Sequence, residues 1–122
     1  MERERFEELV ERALEALPEQ FQERLSNVDI EVEEYASAAD LRVAGAKPGQ
    51  TLLGLYRGTP QTRRGSGYNL VVPDRIVIFQ RPIERLGRSD DEIVERVGHV
   101  VRHEIAHHFG IDDDALHRMG AY

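Results

Sequence analysis

Residues 89–113 read SDDEIVERVGHVVRHEIAHHFGIDD, and this stretch organises the rest of the 122-residue chain. Ser89 followed three residues later by Glu92 is a capping-box sequence, and Asp90 and Asp91 suit the positive end of a helix dipole. Ile93, Val94, Val97, Val101 and Ile105 recur at helical steps, as one buried stripe requires. Gly110 can take the left-handed conformation that stops a helix. The expected element is a helix from about Asp90 to Phe109, pressed by its apolar band onto a sheet.

Toward the N-terminus, Phe6, Leu9, Val10, Ala13, Leu14 and Leu17 predict a second amphipathic helix over Glu2–Leu17. Pro18 can open a further helical turn that carries Phe21 and Leu25. Val28, Ile30 and Val32 alternate with Asp29, Glu31 and Glu33, the pattern of a strand with one wet face on the solvent side of a sheet. Ala36–Gln50 is expected to be loop, Thr51–Arg57 strand, Gly58–Asn69 a second loop, and Arg75–Gln80 a strand buried on both faces. Helices beside a small sheet make the expected class α+β, in one domain over residues 1–122.

Composition narrows the function. The net charge of −7 argues against a nucleic-acid surface, which needs a basic face to neutralise phosphates. No apolar run approaches the roughly 20 residues that span a bilayer, so no membrane role is expected. The charged N-terminus lacks the pattern of a signal peptide, and the expected location is cytoplasmic. With no cysteine, any metal must be held by His, Asp or Glu.

HEIAH, His103 to His107, is the pattern by which a helix offers two imidazoles to zinc. A four-residue step leaves His107 roughly 40° around from His103 and one turn along, so both rings can reach one ion. Glu104 lies on the adjacent strip, where its carboxylate reaches a water at the metal and can serve as general base. Two histidines and a glutamate can also fall on a helix by accident as a half-buried polar patch. Gly110 three residues after His107 and Asp113 three after that make coincidence much rarer, because that spacing lets a zincin reverse its chain and supply a third ligand. After Glu104 the chain has no glutamate, leaving Asp112, Asp113, Asp114, His108 and His117; Asp113 leads on spacing, while His108 points about 100° away from His107.

Together, HEIAHHFGIDD, LGLYRGTP, VPDRIVIF and the N-terminal helix resemble the bacterial minimal-zincin family of zinc metallopeptidases, over most of the chain. The motif HExxHxxGxxD is also similar to that of the small snapalysin-type peptidases. The resemblance implies a zincin-like α+β fold, Zn2+ held by His103, His107 and Asp113, Glu104 as base, Gly110 at the turn, and peptide-bond hydrolysis. Only fifteen residues follow His107, so the substrate groove is expected to be shallow, or completed by a second copy or another partner chain.

Two other classes stay open. One is a zinc-holding binding or regulatory module with little or no proteolysis; the other is a structural metal site, which needs no carboxylate at position 104 and normally has a fourth protein ligand. Tyr56, Tyr68 and Tyr122 are candidates to stabilise an oxyanion, with packing the commoner role for each. His99 is expected to be half-exposed, Arg63 and Arg64 to lie on a solvated loop, and Met119 to be a core residue of a closing helix.

Overall fold

The structure, a computed structural model, is described for residues 1–58 and 73–118, apart from the side chains of Asp113 and Leu116. The expectations for Arg63, Arg64, Tyr68, Met119 and Tyr122, for the carboxylate of Asp113, and for most of the Gly58–Asn69 loop lie outside the described residues.

The elements run α1 (Arg3–Glu15), α2 (Glu19–Arg24), β1 (Val28–Glu33), α3 (Ala38–Val43), β2 (Gly54–Arg57), β3 (Asp74–Phe79), α4 (Gln80–Leu86), α5 (Asp90–Phe109) and α6 (Asp113–Arg118). The strands form one mixed sheet in the order β1-β3-β2, with β1 parallel and β2 antiparallel to β3. Helices beside a small mixed sheet make the fold α+β, as the periodicities predict.

Central β3 is covered on both faces: Ile76, Val77, Ile78 and Phe79 are all 0% exposed. Ile76 and Ile78 join the main core with Phe6, Leu9, Val97, Val101 and Ile105 of α1 and α5. Val77 and Phe79 face the other way, into a small cluster with Leu55 and the partly buried Ala36 and Leu52. The two alternating sets explain why β3 reads as a continuous apolar run. β1 turns Ile30 and Val32 toward the main core and leaves Glu31 to pair with Arg75 of β3 at 3.1 Å.

Two helices depart from the sequence reading. α3 lies inside the expected 36–50 loop, where Ser37 and Asp40 form a complete capping box. Six residues are too few to display a periodicity, so only the cap could have announced it. The strand predicted to reach Gln80 ends at Phe79, and Gln80 instead begins α4. Pro82 hides that helix from a pattern search, yet in the first turn its missing N–H removes no helical hydrogen bond. β2 starts at Gly54 rather than Thr51, although Leu53 still accepts a hydrogen bond from Phe79 N–H at 3.0 Å.

α5 is bounded as its sequence requires. Ser89 Oγ accepts from Glu92 N–H at 3.2 Å, whereas Glu92 Oε2 takes the N–H of Arg88 at 2.5 Å, so the predicted capping box is completed one residue early. Arg5 of α1 is ion-paired with Asp90, and Arg12 reaches Asp91 at 3.2 Å, fastening α1 to the start of α5. Among the described residues no helix is long and apolar enough to cross a membrane.

Candidate metal and active site

α5 crosses β2 at close range because Gly54 has no side chain. A Cβ there would lie 2.5 Å from Val100 Cγ1 and 3.2 Å from Val77 carbonyl oxygen. Four residues after Val100, on the same side of the helix, Glu104 is carried to the edge of the sheet. Its Oε1 accepts a hydrogen bond from the backbone N–H of Tyr56 at 2.9 Å. Burial pushes the Glu104 carboxyl above the usual carboxylate range, against the opposing effects of that N–H and of the His103 and His107 rings.

His103 and His107 flank Glu104 on the exposed side of α5. His99, one turn earlier, lies parallel to the His103 ring with centroids 6.2 Å apart. Its pKa is lowered by burial and by Arg102, His103 and Arg96. Beyond His107, Gly110 adopts φ 67° and ψ 30°, and Ile111 N–H reaches back to Ala106 carbonyl oxygen at 2.8 Å. This left-handed cap ends the helix where the motif requires and sends the chain into α6. α6 begins at Asp113, and Asp112 accepts the N–H of Ala115 at 2.8 Å. Among the described residues, no three His, Asp or Glu side chains form a metal-holding group.

Tyr56 also touches the last turn of α5. Its ring stacks on His108 with centroids 3.8 Å apart and 13° between planes, and its hydroxyl donates to Asp74 Oδ2 at 2.8 Å. His108 Nε2 stands 4.0 Å from the same carboxylate oxygen. Burial and the Asp74 carboxylate raise the Tyr56 phenol far above its ordinary range, so it stays a donor, and it donates to Asp74. The backbone of Tyr56, rather than its hydroxyl, meets Glu104.

Glu104, His107 and His108 help to line a cleft of about 540 Å³. His108, set aside on helical angle, thus shares a cleft with His107; the step of about 100° turns it toward β2. Tyr56 N–H and Gly54 were missed as site-forming groups. A glycine opening a strand is their only local signal, and it does not say which helix lies above.

The residue types at the expected positions are ones zinc accepts: His103 and His107 one helical turn apart on α5, and Asp113 after the left-handed turn at Gly110. The model for the zincin-like metallopeptidase family matches residues 25–121. The chain belongs to that family. Membership of the zincin-like metallopeptidases implies a metal, typically zinc. No curated protein gives a significant match.

Proposed function

We propose that this zincin-like protein is a zinc metallopeptidase that hydrolyses peptide bonds, with His103, His107 and Asp113 as metal ligands and Glu104 as general base. The observation that carries the reading is Glu104, half-buried between the two exposed imidazoles and held by Tyr56 N–H from the edge strand. A zinc ion, when bound, supplies Lewis acidity toward a carbonyl oxygen and acidifies water.

The chain's own groups do the rest. With Oε1 anchored by Tyr56, Oε2 of Glu104 is left to take a proton from water in the cleft and later return it to the leaving amine. β2 is an edge strand among the described residues, and an extended peptide can be aligned by main-chain hydrogen bonds to such an edge. Asp112 is engaged in capping α6, which supports its neighbour Asp113 as the third ligand.

Glu104→Gln tests the reading because it keeps shape and hydrogen-bonding capacity while removing basicity. The variant should retain zinc, measured by metal analysis, while turnover on a broad peptide library falls by about 10² or more. A fully zinc-loaded wild type that cleaves nothing and matches the Gln variant would make the protein a zinc-dependent binding module instead.

A further inference from the structure

One turn before His103, α5 borders a second cavity, of about 340 Å³, that shares no lining residue with the cleft at Tyr56. Arg96, His99 and Arg102 line it, with Glu92 and Glu95 on the same helix and Leu86 from α4. Arg96 stands seven residues before His103, two turns along and roughly 20° around, so it shares a strip of the helix with that proposed metal ligand. His99 occupies the turn between them.

The chain carries 23 acidic residues against 16 lysines and arginines, and Arg5, Arg12, Arg57, Arg75 and Arg81 each pair with a carboxylate. Among the described residues Arg96 and Arg102 have no such partner. The acids at the rim do not neutralise them. Glu92 is engaged at the start of α5, where its Oε2 takes the N–H of Arg88 at 2.5 Å. Burial lowers the His99 pKa, and Arg102, His103 and Arg96 each lower it further, by more than Glu95 raises it. The field at His99 is therefore positive. Leu86, 48% exposed, adds apolar surface that the stem of an acidic side chain can cover.

We infer that Arg96 and Arg102, with His99, form a carboxylate-binding site beside the proposed metal centre, so that the substrate class is peptide carrying a carboxylate about two residues from the bond positioned at Glu104. The inference rests on the metallopeptidase reading for the placement of the peptide. The rings of His99 and His103 have centroids 6.2 Å apart, and an extended peptide advances about 3.3 Å per residue, which sets that spacing. Guanidinium groups suit the task because their N–H forks match a carboxylate in geometry as well as in charge. The carboxylate can belong to an aspartate or glutamate side chain or to the C-terminus of the peptide, and the same groups would receive either.

Acetylated, amidated alanine tetrapeptides carrying one glutamate or one glutamine separate charge from shape without turnover. On metal-free protein at low ionic strength, followed by the side-chain N–H resonances of Arg96 and Arg102, the glutamate peptide should bind about fivefold tighter. Acetylated trialanine as free acid and as amide asks the same of a C-terminal carboxylate. Arg96→Gln and Arg102→Gln should each bring the preference to within about twofold. Arg75→Gln removes the same charge from an exposed pair on the sheet and should leave it at the wild-type value. A wild-type ratio near one in both series, or a preference that Arg75→Gln diminishes as much as Arg96→Gln and Arg102→Gln do, overturns the inference.

The metallopeptidase reading fails separately. A carboxylate preference in binding, with no library peptide cleaved by zinc-loaded protein, supports the site while the peptidase is lost. Cleavage with no preference for an acidic residue or a free C-terminus near the cut bond keeps the peptidase and overturns the site.

Discussion

The two edges of the sheet are treated in opposite ways. On β1 the outward residues are Asp29, Glu31 and Glu33, and Arg3 donates to the Val32 carbonyl oxygen at 2.9 Å, satisfying one main-chain acceptor with a side chain. Glutamates of α1 rim the adjoining groove above Ile30 and Val32. Charge and side-chain capping are how proteins discourage an edge from pairing with another chain. On β2 a glycine admits the helix, a main-chain N–H meets a carboxylate, and the adjoining cleft is lined by Glu104, His107 and His108 among others. One edge is blunted and the other borders a cleft.

The largest effects should come from the helix over β2. His103→Ala and His107→Ala should each abolish tight zinc binding in a chelator-competition assay, since the remaining ligands hold the ion poorly against water. Asp113→Ala should weaken it strongly, and Asp112→Ala and Asp114→Ala only mildly. A greater loss at 112 or 114 than at 113 would displace the third ligand.

Gly54→Ala should come next, costing about 1–3 kcal/mol by chemical denaturation, because the new methyl must displace Val100 or part the strand from α5. The same movement should speed hydrogen exchange at the Tyr56 amide, whose partner is Glu104. Unchanged stability would mean that α5 and β2 are less closely packed than their contacts require.

The smallest effects sharpen the comparison between edges. Asp40→Asn beside β2 removes the charge of a partly buried pair and should cost about 1–2 kcal/mol at neutral pH, whereas Glu31→Gln on β1 should stay within about 0.5 kcal/mol because its pair with Arg75 is exposed. Burial pushes the Asp40 carboxyl up, but hydrogen bonds from Ser37 and Arg57 outweigh it and hold the folded pKa below the ordinary value. Its stabilising contribution is present above the unfolded pKa of about 4 and is lost as pH falls through the lower folded one. The gap between wild type and Asp40→Asn should therefore narrow on acidification, read by denaturation curves across that range.

How much was legible follows the range of the interactions. α1 and α5 announce themselves because their apolar positions repeat within each helix, and the left-handed turn at Gly110 is a property of one residue. α3 has a local signal in Ser37 and Asp40, but its six residues show no stripe, and Pro82 conceals α4. Asp113, expected from its spacing as the third ligand, begins α6, and its carboxylate lies outside the described residues.

By itself the sequence determined that two histidines stand one turn apart on a capped helix in a chain without cysteine, so any metal donor must be His, Asp or Glu. It also determined that Glu104 would lie beside them, because helical geometry relates residues within a turn whatever surrounds the helix. Only the tertiary structure decided which group would hold Glu104. Tyr56 is 48 residues away, and His108 meets Tyr56 only because α5 crosses β2. Such contacts depend on how elements pack and leave no periodicity in the chain, whereas the metal motif repeats with the helix itself.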